Sequence, residues 1–267
     1  MSMASFDGKV VLVTGGSSGI GRAAVRAFAE AGARVVLAAR RVKPGEELAS
    51  DIRDRGGLAH FVAADVSQPA DVQRVIAQVV QTFGRIDAAF NNAATTAGAF
   101  ALTADFEESH FDAAIRLNLK SVWLCLKFEI QQMLTQTPSG GAIVNTSSVN
   151  GLGGAPGGAL YSAAKAGVLA LTKSAAQEYA GSGIRVNALV AGAFRTPMLE
   201  HVIDVAGGGT DEGRSAVEAQ YAGLNPMRRI GTPEEAAAAA VWLCSDAASY
   251  VTGHSMIVDG GMTASTR

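Results

Sequence analysis

The chain has 267 residues, of which 48% are hydrophobic and 17% are charged, and its formal net charge is −2. This composition provides a sizeable apolar core and excludes a disordered chain. The near-zero net charge argues against a nucleic-acid-binding protein, which usually carries a basic stripe.

The two cysteines and the length of the longest apolar run indicate the cellular compartment of the protein. Cys125 and Cys244 lie far apart in apolar contexts, without metal-ligand spacing or a disulfide framework, so we interpret both as buried small hydrophobes. The longest apolar run, residues 236–244, is far shorter than the roughly 20 residues of a membrane span. The first residues lack the pattern of a signal peptide. We predict a cytoplasmic protein with no membrane partner.

Short β-branched runs alternate with longer helical patterns along the chain. Strands are predicted over residues 9–14, 34–39, 59–64, 87–91, 142–146, 185–190 and 255–258. Helices are predicted over about residues 19–31, 45–55, 69–83, 106–135, 159–180 and 233–244. Several strands are apolar without alternation, as expected when helices cover both faces of a parallel sheet. We therefore predict one α/β domain, residues 1–267, with a doubly wound parallel sheet of about seven strands flanked by helices.

Residues 191–232 form the one irregular stretch, and it contains three consecutive glycines, Gly207, Gly208 and Gly209. A long excursion inside a compact domain is usually a binding lid or a mobile segment. We interpret this stretch as a lid that covers a substrate. An ordinary surface insertion is the alternative.

Residues 14–21 read TGGSSGIG, directly after an apolar strand and at the start of a predicted helix. Glycine permits close approach to the main chain, and the helix start offers unpaired N–H groups and a positive dipole end. A dinucleotide pyrophosphate fits such a place, although glycines also occur in plain strand–helix turns. A P-loop is excluded because no Gly-Lys-Ser/Thr follows.

This spacing, Thr-Gly-x-x-x-Gly-Ile-Gly, resembles the cofactor turn of the short-chain dehydrogenase/reductase superfamily. The resemblance continues through Asp65-Val66, through residues 91–94 (NNAA) and through residues 259–261 (DGG), and so covers almost the whole chain. It implies a Rossmann-type fold and a nicotinamide nucleotide cofactor. The cofactor-binding residues that it implies are Gly15, Ser17, Ser18, Gly19, Ile20, Asp65, Val66, Asn91, Asn92, Phe194 and Thr196.

Tyr161 and Lys165 stand one helical turn apart, on one face of a predicted helix. A free tyrosine has a pKa near ~10, and a neighbouring ammonium favours its phenolate. The pair is therefore expected to exchange a proton at working pH. Alone, such a pair is weak evidence, because similar pairs often lie on solvated helix faces.

Ser148 lies at the end of a predicted strand, and strand ends line the ligand crevice of a parallel sheet. The resemblance selects Ser148 over Ser147 as the catalytic serine. It implies that Ser148 hydrogen-bonds the substrate oxygen, that Tyr161 donates or accepts the proton, and that Lys165 holds the nicotinamide ribose. Asn118 matches the fourth catalytic residue of the family, which helps to hold a water molecule in the proton relay. The alternatives are a turn-capping Ser148 hydroxyl and a solvated Asn118.

The end of the second strand predicts the nucleotide. NAD-using relatives carry an acidic residue there, but this sequence has Ala39 followed by Arg40 and Arg41. A guanidinium can clamp a 2′-phosphate, so we predict NADP(H), with Arg40 as the main contact and NAD as the less favoured cofactor. The alternative is that both arginines only solvate the loop. Scattered histidines show no ligand spacing, and we predict no metal.

The predicted activity is hydride transfer between NADP(H) and a mainly apolar ketone or secondary alcohol. Two other activities remain open: a sugar or alcohol dehydrogenase that uses NAD, and a nucleotide-sugar epimerase or dehydratase. A dinucleotide-binding regulator without turnover is the non-enzymatic alternative. The resemblance also implies a homotetramer, which small residues on helix 159–180 would permit. Packing of that helix within one subunit is the alternative.

Overall fold

The computed structural model describes residues 5–264, so residues 1–4 and 265–267, the two ends of the predicted 1–267 domain, lie outside the described residues. The strands are β1 (Val10–Thr14), β2 (Arg34–Ala39), β3 (Leu58–Ala63), β4 (Ala88–Asn91), β5 (Gly141–Ser148), β6 (Ile184–Ala191) and β7 (Ser255–Val258). The α-helices are α1 (Gly19–Glu30), α2 (Val42–Asp54), α3 (Pro69–Phe83), α4 (Glu108–Ile115), α5 (Ser121–Thr135), α6 (Asn150–Gly153), α7 (Ala159–Tyr179), α8 (Pro197–Ala206), α9 (Asp211–Leu224) and α10 (Pro233–Cys244).

The strands form one parallel sheet in the order β3-β2-β1-β4-β5-β6-β7, which confirms the predicted Rossmann-type α/β fold. The strand order reverses between β1 and β4, and ligands bind outside the carboxyl ends of the strands at such a point. The register places Thr14 beside Asn91, and Asn91 beside Asn145. The last residue of β5 is Ser148, as the sequence predicted.

The apolar core lies on both faces of the sheet. Side chains of α1, α2 and α10 pack on one face, and those of α3, α5 and α7 pack on the other. All five residues of β1 are buried, which explains why its sequence is apolar without alternation. Within residues 5–264, no helix combines the length and the apolar character that crossing a membrane requires.

The predicted helix over residues 106–135 is interrupted by a wide turn. It consists of α4, a π-helical segment (Arg116–Lys120) and α5. Such single wide turns inside α-helices often accompany functional sites. This one contains Asn118.

The prediction of an irregular stretch over residues 191–232 is wrong, because two helices, α8 and α9, lie within it. Each has a threonine N-cap: the Thr196 hydroxyl accepts a hydrogen bond from Leu199 N, and the Thr210 hydroxyl accepts one from Gly213 N. Ion pairs connect the two helices, with Arg214 of α9 bound to Glu200 and Asp204 of α8.

The two ends of this helical segment meet. Phe194 and Gly231 form an isolated parallel β-bridge. Gly231 N donates to Ala193 O over 3.0 Å, and Arg195 N donates to Gly231 O over 2.9 Å. The chain therefore leaves the sheet region and returns to it at nearly the same point.

Candidate active site

A cavity of about 1300 Å³ lies at the carboxyl ends of the strands. It brings together most of the residues that the sequence predicted for the site. The predicted residues that line it are Gly15, Ser17, Ser18, Gly19, Ile20, Arg40, Asp65, Val66, Asn92, Ser148, Tyr161, Lys165, Phe194 and Thr196. Asn91 and Asn118 are not among the lining residues.

The start of α1 lies at the cavity wall with N–H groups that no side chain caps. Ser18 is the N-cap, but its side chain makes no capping hydrogen bond, and the first turn has no acidic residue. The first N–H groups of the helix therefore keep their positive character next to the lining residues Ser17, Ser18 and Gly19. This arrangement fits a pyrophosphate group.

Close backbone packing explains Gly21, the last glycine of the turn. A Cβ on Gly21 would lie 2.4 Å from the Gly15 carbonyl oxygen and 2.6 Å from Asn92 Nδ2. The chain itself therefore fills the space beside Gly21. A larger residue there would push the turn away from the loop after β4.

Ser148 and Tyr161 line the same cavity, from the end of β5 and the first turn of α7. Burial raises the pKa of Tyr161 to about 12, and the hydrogen bond with the Ser148 side chain opposes part of that rise. Ser148 Oγ also accepts a hydrogen bond from Asn150 N over 3.2 Å. The capping role considered for Ser148 is thus present together with its contact to Tyr161.

Lys165 is only 1% exposed, and its Nζ donates a hydrogen bond to Thr146 O over 2.9 Å. The ammonium lies 5.7 Å from the centre of the Tyr161 ring. Burial lowers the pKa of Lys165 to about 8. The expectation that this ammonium lowers the pKa of Tyr161 is not met, because burial of the phenol dominates and Nζ is directed to the Thr146 carbonyl.

Asn118 lies fully buried in the π-helical segment, so it is not a solvated asparagine. Its Oδ1 accepts a hydrogen bond from Thr95 N over 2.9 Å, and its Nδ2 donates to Ala97 O over 3.3 Å. Thr95 lines the cavity. Asn118 therefore supports a wall of the cavity from behind, and its role in a water relay stays a prediction.

Asn91 is turned away from the cavity, into the interior. Its Nδ2 donates to Glu129 Oε2 over 2.8 Å and to Asn145 Oδ1 over 3.1 Å. The structure thus gives no support to its predicted contact with the cofactor, whereas the neighbouring Asn92 does line the cavity. The Thr14 hydroxyl holds the loop after β4 by accepting hydrogen bonds from Asn92 N and Ala93 N.

The part of the cavity beside the ends of β2 and β3 carries charged groups. Strand β2 ends at the buried Ala39, and the exposed Arg40 and Arg41 follow it. Arg40 makes no ion pair within residues 5–264. Asp65 Oδ1 accepts a hydrogen bond from Ser67 N over 3.0 Å, which fixes the turn that carries Val66 along the cavity wall.

The remaining part of the cavity is uncharged and mostly apolar. It is lined by the loops around residues 95–100 and 150–158 and by α8 and α9. The charged lining residues are Arg40, Arg41, Asp65 and Lys165. Within the part of the chain that the structure describes, no cluster of three or more His, Cys, Asp or Glu residues could hold a metal ion.

Sequence reasoning did not identify the contact between Gly98 and Tyr161 or the C-terminal part of the cavity wall. Gly98 O accepts a hydrogen bond from Tyr161 N over 3.0 Å, and a Cβ on Gly98 would lie 2.7 Å from that nitrogen. Met262 and Thr263 also line the cavity, and the Asp259 carboxylate holds Thr263 through its backbone N and its hydroxyl. The signal for the second group was the DGG motif itself, because an aspartate before two glycines fixes a tight turn.

Comparison with known proteins identifies the family. The family model described as "Enoyl-(Acyl carrier protein) reductase" matches residues 15–263. The chain is 41% identical over 262 residues to 2,5-dichloro-2,5-cyclohexadiene-1,4-diol dehydrogenase of Sphingobium indicum. The matched residues cover 98% of this chain and 100% of that protein. It is 41% identical to A-factor type gamma-butyrolactone 1'-reductase (1S-forming) of Streptomyces virginiae, covering 96% of this chain and 95% of the relative.

The crystal structure of levodione reductase shares the fold, with a TM-score of 0.92 and 36% sequence identity, covering 97% of this chain and 99% of that one. The chain belongs to the short-chain dehydrogenase/reductase superfamily. It is an oxidoreductase of that family, whose members use NAD(P)(H) nucleotides.

Proposed function

We propose that the protein reduces an uncharged ring ketone with NADPH and oxidises the corresponding secondary alcohol in the reverse direction. The observation that carries the proposal is that Ser148 and Tyr161 share one cavity with the uncapped start of α1 and with Arg40. Two similar proteins are named for ring compounds, a cyclohexadiene diol and a butyrolactone. The uncharged walls beside Ser148 support a substrate without charge.

The choice of NADPH is supported by the groups at the end of β2. In this proposal the N–H groups at the start of α1 hold the pyrophosphate, and the Arg40 guanidinium pairs with the 2′-phosphate. Ala39 leaves no carboxylate to bind a free 2′-hydroxyl. All of Asp65, Val66, Asn92, Phe194 and Thr196 line the cavity. In this proposal Asp65 and Val66 would border the adenine, and the other three would border the nicotinamide.

The bound nucleotide would supply the hydride, and the chain would supply the proton and the orientation. The Ser148 hydroxyl donates a hydrogen bond to the carbonyl oxygen, which fixes the reacting carbon. Tyr161 donates the proton as that oxygen becomes a hydroxyl. With its pKa raised to about 12, Tyr161 stays protonated at neutral pH, as an acid in the reductive direction requires.

Lys165 acts beside this acid. Its ammonium is held by the Thr146 carbonyl, one helical turn from Tyr161, where it would also bind the nicotinamide ribose. Helices α8 and α9, within residues 191–232, would cover the substrate and exclude water.

We also propose that the protein is a homotetramer. Ala163, Ala166 and Ala170 present an exposed row of small side chains on α7, which supports close packing of a second subunit. Two other small residues of α7 serve the subunit's own packing: Ala164 is fully buried, and Gly167 faces Leu119. Light scattering coupled to size exclusion tests the assembly. The cytoplasmic location stays a prediction.

The activity is tested by mixing the purified protein with cyclohexanone and either NADPH or NADH and following the absorbance of reduced nicotinamide. We expect turnover, faster with NADPH at low nucleotide concentration. Nucleotide binding without turnover of any ring ketone or alcohol would support the regulatory alternative. Equal efficiency with NADH would contradict the cofactor assignment.

A further inference from the structure

Helix α9 brings a phenol to a wall of the cavity that is otherwise mainly apolar. Apolar residues from α8 and α9 form most of this wall, and they are Met198, Leu199, Val202, Ala206, Val217 and Leu224. The polar side chains that these two helices add are Gln220 and Tyr221. Gln220 is exposed, whereas Tyr221 is half-buried.

The backbone of Tyr221 is fixed by a buried asparagine. Asn225 Nδ2 donates hydrogen bonds to Tyr221 O over 3.3 Å and to Arg229 O over 2.9 Å. Asn225 itself is 2% exposed. The last turn of α9 is thus tied to the chain that follows it, and Tyr221 is held in position against the cavity.

The hydroxyl of Tyr221 has no protein partner within residues 5–264. Burial raises its pKa, so the group remains a neutral phenol that can both donate and accept a hydrogen bond. A partly buried hydroxyl without a partner gains from pairing with a ligand oxygen. A charged ligand group would find no counter-charge here, because the charged lining residues are Arg40, Arg41, Asp65 and Lys165.

We propose that Tyr221 is a specificity-determining residue whose phenol binds a second, uncharged oxygen of the ring substrate, away from the carbon that reacts. This inference rests on the proposed function and narrows its substrate class. The substrate is then a hydroxyketone, a dione or a diol, and a ring with a single oxygen is a poorer substrate. The enzyme would discriminate between the two kinds of ring because a substrate without the second oxygen leaves the Tyr221 hydroxyl unpaired.

The test compares cyclohexanone with 4-hydroxycyclohexanone, with NADPH as the reductant. The values of kcat/KM are measured for the wild type, for Tyr221→Phe and for the control Tyr250→Phe, whose side chain is fully exposed outside the cavity. We expect the wild type and the control to prefer the hydroxyketone by about tenfold, the value of one hydrogen bond. Tyr221→Phe is expected to lose that preference while keeping its activity on cyclohexanone.

The possible failures are distinct. If the wild type reduces both ketones with equal kcat/KM, or if Tyr221→Phe slows both in the same proportion, the inference about Tyr221 is wrong and the proposed function stands. If the wild type reduces neither ketone, the proposed function is wrong and the inference falls with it.

Discussion

Asn91 Nδ2 donates a hydrogen bond to Glu129 Oε2 over 2.8 Å, between β4 and α5 in the interior of the protein. The same amide reaches Asn145 of β5, whose Nδ2 donates to the Thr172 hydroxyl of α7 over 3.0 Å. All four residues are buried. The network connects β4, which precedes the loop that carries Asn92, with the strand and the helix that carry Ser148 and Tyr161.

Glu129 makes the stability of the fold dependent on pH. Burial raises the pKa of its carboxyl from 4.5 to about 7, and the hydrogen bond from Asn91 limits the rise. The folded state therefore binds a proton more tightly than the unfolded chain does. Stability from this group is fully present below pH 4.5 and is lost as the pH rises to about 7, by on the order of 3 kcal/mol in total.

Glu129→Gln should remove this pH dependence, because the amide cannot ionise and still accepts the hydrogen bond from Asn91. Urea denaturation between pH 4.5 and 8 measures the free energy of unfolding for the variant, for the wild type and for Glu178→Gln. Glu178 is an exposed glutamate and serves as the matched control. The same pH slope in Glu129→Gln and in the wild type would show that the carboxyl ionises normally.

Tyr161→Phe should remove the proton donor and leave the cavity intact. We expect kcat for ketone reduction to fall by about 10²–10⁴-fold, the usual contribution of a positioned acid. The affinity for NADPH, measured by fluorescence titration, should change little, since Tyr161 contributes no charge to the phosphate-binding end. Tyr250→Phe is the control, and a Tyr161→Phe variant with wild-type kcat would refute the acid assignment.

Arg40→Ala should weaken NADPH binding by about tenfold to a hundredfold, as expected for loss of a charge-assisted hydrogen bond to phosphate. The affinity for NADH should stay the same, because NADH has no 2′-phosphate. Arg41→Ala, a change of the next residue along the same wall, is the matched control and should have a smaller effect. If both nucleotides weaken in parallel, the substitution has damaged the site in general.

Phe100 lines the cavity with a φ of +76°, a conformation that residues with a Cβ rarely adopt. Its backbone is held there by a hydrogen bond from Phe100 N to Gly157 O over 2.6 Å. We expect Phe100→Gly to have a free energy of unfolding about 1 kcal/mol higher than Phe100→Ala, because glycine relieves the strain.

Leu102 is the control for this pair, since it is exposed and has a φ of −69°. There the order should reverse, with Leu102→Ala more stable than Leu102→Gly by about 0.5–1 kcal/mol. Urea denaturation of the four variants measures both differences. If Phe100→Ala is the more stable of its pair, the left-handed backbone at Phe100 carries no cost.

The sheet was predictable from the sequence because most of its strands are buried on both faces and appear as apolar runs. Helices α8 and α9, which follow Thr196 and Thr210, were not predicted. Helix α9 buries none of its residues, and the apolar side chains that it does carry, among them Val217 and Leu224, line the cavity instead of the core. Helix α8 could have been predicted from the sequence, because Thr196 followed by Pro197 is the pattern of a helix N-terminus.

The positions of the site residues were more predictable than their environments. The spacing of Tyr161 and Lys165 correctly placed both side chains along one cavity. It could not show that burial would raise the pKa of the phenol, because burial depends on distant segments such as the loop at Gly98. In the same way, adjacent asparagines in a motif cannot show which side chain faces inward, and here Asn91 does so.

The bridge between Phe194 and Gly231 makes the intervening stretch a self-closed insert, whose ends are joined before the scaffold resumes. We therefore expect exchange of that insert to change the cavity wall formed by α8 and α9, provided that Thr196, a predicted cofactor residue near its start, is kept. A segment exchanged at this junction would keep the backbone hydrogen bonds that join its two ends.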